Sequence, residues 1–243
     1  MDPVEHRDAL VRKYRELRSA VVAAQEQATQ AAMFHETWRP AATDAELHAR
    51  MGTSFATHSF QITRWALRRE LILTLMRIWD NNTTALSIKR INAALLDEEL
   101  FTVIIEERVR RIGISTEYVN EMMRATLEER RQLVLPLIAK YLPNGSGHRI
   151  FKLLRELRDK RLAHHQIKEP VALVDPTNEG IEEFYQDTLE VVTHLLHLVN
   201  GVVCEISEAT SMFASYARFF WASARGERTE GHPNFSPPFR DIK

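Results

Sequence analysis

The chain has little of what disulfide-stapled, β-rich or membrane-spanning proteins depend on. A single cysteine among 243 residues, Cys204, excludes an internal disulfide framework and fits a reducing cytoplasm. Eight glycines and nine prolines are few for a turn-rich β architecture and favour long helices. No apolar run approaches the roughly 18–20 residues of a membrane span, and the start, MDPVEHRDAL, lacks the basic and apolar stretches of a secretion signal. Charge of one sign is missing as well. With 32 Lys/Arg against 33 Asp/Glu the formal charge is −1, so affinity for a polyanion has to come from a local patch. No glycine-rich phosphate loop, His-Glu-x-x-His helix or serine-centred elbow occurs, which argues against NTP hydrolysis and metalloprotease chemistry. These absences describe a soluble, cytoplasmic, helical protein.

What is present is helical periodicity. Leu10, Tyr14, Leu17, Val21, Ala24, Ala28 and Ala31 form a 4-3 stripe over residues 3 to about 32, opened by Asp2-Pro3 as cap and first turn. Residues 33–43, with Trp38 and Pro40, read as a connection. A second helix is predicted from about Asp44 to Trp79, stopped by the polar cluster Asp80-Asn81-Asn82-Thr83-Thr84. Ser87 opens a short helix, and Asp97 caps another whose acids lead and arginines trail, ended by Gly113. A fifth helix covers 116–142, with Pro136 expected to kink or break it, and PNGSG at 143–147 is a loop. Beyond a non-helical segment at about 167–177, one long helix is expected from about Asn178 to Arg225. Gly201 would bend it, and Met212, Tyr216 and Phe219 or Phe220 would fall on its inner face. The expected architecture is an all-α antiparallel bundle: an N-terminal helix and connection (1–43), a helical bundle (44–225) and a poorly ordered tail (226–243).

The chemistry concentrates in Gly147–Lys168, GHRIFKLLRELRDKRLAHHQIK, with seven Lys/Arg and a double histidine. On a 3.6-residue helix Arg158, Arg161 and His165 align, with His164 about 100° round. Guanidinium groups suit a phosphate, and an imidazole near neutral pH gives and takes protons. With RNA the pattern suggests attack of a 2′-OH on its own adjacent phosphate, a reaction whose nucleophile is internal and which needs no cofactor. Lys152, Arg155, Lys160 and Arg161 are the candidate contacts to the RNA backbone.

The run LRDKRLAHH, late in a bundle helix and followed by a long helix, resembles the HEPN superfamily, and within it the abortive-infection (AbiU-type) branch. That branch has Asp-Lys after the arginine and Ala before the histidine, as in Arg158-Asp159-Lys160 and Ala163-His164. The stretch LMRIWDNNTTALSIKRI is similar to it too: a long helix ending in Trp-Asp, a polar turn, then Leu-Ser-Ile. The resemblance covers about residues 44–200. It implies a homodimeric, metal-independent endoribonuclease acting in phage defence or as a toxin, with a possible antitoxin or defence-system partner. In that scheme Arg158 is the phosphate-binding arginine, Asp159 orients it, and His164 is the catalytic histidine with His165 its competitor. Other members are non-catalytic, which leaves a dimeric module binding RNA, a nucleotide or a protein as the alternative.

Other constellations have simpler readings beside the chemical one. Glu190, His194 and His197 share one helix side and suit either a metal or hydrogen bonding within the bundle. Phe213, Tyr216, Phe219, Phe220 and Trp221 suit either RNA bases or core and dimer contacts. Cys204 reads as a small buried hydrophobe, and Lys168 and Asp175 as loop residues flanking the motif.

Overall fold

The computed structural model describes residues 2–52, 54–80, 87–114, 116–162, 174–203, 206–224 and 226. Among them every regular element is helical: α1 (Pro3–Thr43), α2 (Ala45–Gly52), α3 (Thr57–Ile78), α4 (Ile88–Leu96), α5 (Glu98–Ile112), α6 (Glu117–Tyr141), α7 (His148–Leu157), α8 (Asn178–Leu195) and α9 (Ile206–Ser223). Two π-helical segments, Arg158–Leu162 and Leu196–Asn200, extend α7 and α8. No described helix is long and apolar enough to cross a membrane.

The spine is α1, 41 residues and about 60 Å at 1.5 Å per residue. Its predicted stripe is buried throughout, and Ala24, Ala28, Ala31 and Ala32 have no exposed surface, so α3, α8 and α9 approach it closely. The stripe does not end near residue 32. His35, Trp38 and Ala41 continue it, and their burial carries the helix through Pro40 to Thr43, where a connection was expected. Asp44 then breaks the helix by accepting hydrogen bonds from the backbone N–H of Glu46 and Leu47, which starts α2.

The other departures have equally local causes. The expected helix from Asp44 to Trp79 is two helices, because the Ser54 and Thr57 hydroxyls bond to the backbone around the break. Pro136 does not break α6, whose buried Leu127, Val134, Ile138 and Tyr141 grip the core on both sides of it. Asp97 caps α5 as expected and Gly113 ends it in the left-handed region at φ 76°, whereas the Ser87 side chain makes no capping bond.

At Gly201 (φ 72°) the long C-terminal helix ends instead of bending. Arg108 and Arg111 of α5 donate to the carbonyls of His197 and Asn200, so guanidinium groups satisfy the terminal acceptors of α8. α9 therefore starts in a new phase. Ala217 and Trp221 turn inward against Phe60, Leu47 and Met51, and the Trp221 indole donates to the Thr37 carbonyl. Met212, Tyr216, Phe219 and Phe220, expected inside, face out.

One buried polar group fastens α1 to α8. The His35 ring has no exposed surface, yet its Nδ1 lies 2.8 Å from Glu36 and its Nε2 2.7 Å from Glu182. Carboxylates only accept, so both ring nitrogens carry protons and the imidazole is a cation. Tyr185 stacks on it at 3.8 Å and directs its hydroxyl to Glu36. Burial pulls the His35 pKa down, but the hydrogen bonds it donates to Glu182 and Glu36 prevail and raise it, while the contact with His35 holds Glu182 at about 2. A raised histidine pKa stabilises fully below its unfolded value of about 6.5 and ceases to do so as pH climbs through the folded value. The Glu182 contribution disappears only toward pH 2. Denaturant melts from pH 5 to 9 are therefore expected to show stability falling across the alkaline half. In His35→Ala that slope disappears, and stability at pH 6 drops by about 3–5 kcal/mol because Glu36 is left buried beside the Tyr185 hydroxyl but without its cation.

Candidate functional site

The basic stretch folds as an amphipathic helix. Phe151, Leu154 and Leu157 of α7 are buried, while Arg149, Lys152 and Arg155 lie on the exposed side. Its entry is fixed by the turn after α6, where Gly147 N–H donates to the Lys140 carbonyl at 2.9 Å. A Cβ at Gly147 would press on the Tyr141 ring, so the close approach requires glycine.

At Arg158 the α-helix widens into the π-helical segment. Hydrogen bonds from i to i+5 widen each turn, so the 3.6-residue repeat of α7 does not carry through Arg158–Leu162. The Arg158 side chain, 18% exposed, is held on two sides. Its Nε donates to Asp159 Oδ1 at 2.7 Å, and its Nη1 lies 3.5 Å from Asp80 Oδ1. Asp159 also faces Arg155 Nε at 3.7 Å, and Glu156 stands between Lys152 and Lys160 at 4.0 and 3.9 Å. Such partly exposed pairs order side chains more than they stabilise the fold. Asp159 engages Nε and Asp80 faces Nη1, on different sides of the Arg158 guanidinium, whose five N–H groups exceed what these two contacts use.

Asp80 owes its position to Trp79. The indole is 2% exposed, packs against Tyr141, Phe151 and Phe184 at 5.3–6.0 Å between ring centres, and donates to the Thr188 hydroxyl at 3.0 Å. Tyr141 is fixed in turn by its hydroxyl, which donates to Asp187 at 2.6 Å beside Lys140, and burial with that carboxylate raises its pKa. Four helices thus meet at the residue preceding Asp80. On the far side of the motif, Arg68 of α3 pairs with Asp175 at 3.3 Å and donates to the Pro176 carbonyl at 2.8 Å, which secures the chain leading into α8.

Of the predicted residues, Lys152, Arg155, Arg158, Asp159 and Lys160 are brought together here. The backbone of Arg161 belongs to the π-helical segment, whereas its side chain, His164, His165, Lys168 and Cys204 lie outside the described residues. Glu190, His194 and His197 are not gathered as ligands. His194 is 3.6 Å from Glu190, but burial and the charges of Arg130 and Arg108 lower the His197 pKa, an environment that opposes a cation. Among the described residues no group of three or more His, Cys, Asp or Glu side chains is placed to hold a metal. The aromatic set divides: Trp221 is buried in the small cluster with Phe60, Phe213 packs in part against the main core, and Tyr216, Phe219 and Phe220 are exposed. Sequence reasoning gave Asp80 only as part of the polar cluster that stops a helix and Thr188 only as an inner-face position, and placed neither at the site. The Trp-Asp pair closing α3 was visible, but its contact with Arg158 spans 78 residues and has no local signature. Thr188→Val, which keeps the side-chain shape, should leave the Trp79 N–H buried without a partner and cost about 1–3 kcal/mol in urea denaturation.

The family model HEPN_AbiU2, described as AbiU2, matches residues 7–220 and so takes in most of α1, which the sequence resemblance had left aside, together with the Arg158 segment and most of α9. No curated protein and no solved structure matches the chain. The chain belongs to the AbiU2 family of HEPN proteins.

Proposed function

We propose that the protein is a metal-independent endoribonuclease that acts as a homodimer in phage defence or as a toxin, in the cytoplasm and with an antitoxin or defence-system partner. The observation that carries this reading is the state of Arg158 within the Arg158-Asp159-…-His164 motif. It is paired with Asp159 and Asp80, is partly exposed, and directly follows the cation-bearing helix α7. A guanidinium presented in this way suits the non-bridging oxygens of a phosphodiester, on which charge grows as the phosphorus becomes five-coordinate.

In the proposed reaction His164 takes the proton of a ribose 2′-OH or supplies one to the leaving oxygen, with His165 as its competitor. The O2′–P bond forms and the P–O5′ bond breaks. The 2′ proton is lost to a base and the departing 5′ oxygen gains one from an acid, leaving 2′,3′-cyclic phosphate and 5′-OH ends. Arg158 binds the scissile phosphate, Asp159 orients Arg158, and Lys152, Arg155, Lys160 and Arg161 hold the flanking backbone by charge.

Cleavage of end-labelled RNA in chelator tests this. Native protein is expected to give cyclic-phosphate ends, and Arg158→Ala and His164→Ala to lower the rate by at least about 100-fold. His164→Ala should still bind RNA nearly as well as native protein, whereas Lys152→Glu and Arg155→Glu should weaken binding and reduce its dependence on salt. RNA binding by native protein without any cleavage would favour the non-catalytic module instead, and activity lost only with chelator would favour a metal-dependent hydrolase.

A further inference from the structure

Two carboxylates touch Arg158, and they are not equivalent. Asp159 is the next residue on the same π-helical segment, so it fixes the guanidinium relative to its own backbone and moves with it. Asp80 comes from the end of α3, a helix that packs against this segment, and directly follows the buried Trp79. Phe151 and Leu157 tie the backbone of this helix to the aromatic core, and the Asp80 contact refers the Arg158 guanidinium itself to it. Asp80 is also costly where it stands, because a carboxylate 3.5 Å from the proposed phosphate ligand repels the phosphate. An RNA-binding face selected for affinity alone would not carry it.

We propose that Asp80 is a positioning residue, which turns the Arg158 guanidinium toward the scissile phosphate at some expense in RNA affinity. The proposal rests on the ribonuclease reading for its consequence in catalysis, but not for the contact itself. Asp159 accepts a hydrogen bond from Nε and Asp80 faces Nη1 in an ion pair at 3.5 Å, so two contacts from different elements restrict rotation of the guanidinium about its last bonds. Without Asp80 the guanidinium keeps its charge and its tie to Asp159, and therefore its attraction for RNA, but loses its fixed direction.

This predicts opposite movements of binding and turnover. In full-length protein Asp80→Asn should bind RNA as tightly as native protein or more tightly, while its cleavage rate at saturating RNA falls by about 10- to 100-fold. Asp80→Glu, which restores the charge one methylene further out, should recover part of the rate. A carboxylate that only repels RNA predicts the reverse, with Asp80→Asn cleaving as fast or faster, and that result would overturn the proposal. A second reading does not need activity. In protein labelled with 15N-arginine, with the Arg158 signals assigned by their loss in Arg158→Lys, the native protein should show separate, slowly exchanging Nη resonances that merge in Asp80→Asn. Unchanged Arg158 signals in a folded Asp80→Asn protein would also overturn the assignment. Merged signals with no cleavage by native protein would uphold the positioning contact and sink the ribonuclease reading instead.

Discussion

The indole of Trp79 is the contact on which the arrangement of the site depends. Its ring closes an aromatic cluster drawn from α6, α7 and α8, and its N–H is satisfied inside the core by Thr188. A buried indole without a partner would be penalised by the lost hydration of that N–H, so the hydrogen bond fixes which way the ring enters. Once the ring is in place, the end of α3 is set against the end of α7. Asp80 and Arg158 then come within reach, although neither lies in the hydrophobic core. A packing constraint thereby determines the geometry of two charged groups that solvent would otherwise leave loose.

The second constraint is electrostatic. A helix bearing Arg149, Lys152, Arg155, Arg158 and Lys160 within twelve residues repels itself, and Glu156 and Asp159 relieve that repulsion by standing between the cations. The π-helical segment contributes by displacing Arg158 and Asp159 from the strict repeat of α7, so that the arginine can face α3 as well as its neighbour. Among the described residues α7 thus presents two kinds of cation. Those on its outer face are held loosely over exposed carboxylates, whereas Arg158 is held from two directions.

Periodicity made much of this fold legible in the sequence, and local chemistry explains where it failed. The stripe on α1 and the Asp97 and Gly113 boundaries follow rules that act within one turn of helix. Pro40 and Pro136 misled because the sequence shows their lost hydrogen bonds but not the burial on either side that outweighs them. The phase of α9 could not be extrapolated from α8, since Gly201 interrupts the helix and Trp221 resets its inner face through contacts with α1 and α3. At the site, the Arg158-Asp159 pair was readable because its partners are adjacent. The contribution of Asp80 was not, because only the folded core brings residue 80 to residue 158.

The junction of α1 with α8 obeys the same logic with a different cation. His35 is a cation inside the protein because a carboxylate of its own helix, Glu36, and one of α8, Glu182, meet at its two nitrogens, and Tyr185 closes the space above it. Like Arg158, it joins elements distant in sequence through one cation and two acids. The outcomes differ because the surroundings differ. His35 is fully enclosed, so its partners consume both of its donors and the cluster serves only to join α1 to α8. Arg158 sits at the boundary with solvent and has five N–H groups, more than its two acids engage. The surplus donors and the partial exposure separate a cation suited to receiving a phosphate from one that only fastens two helices.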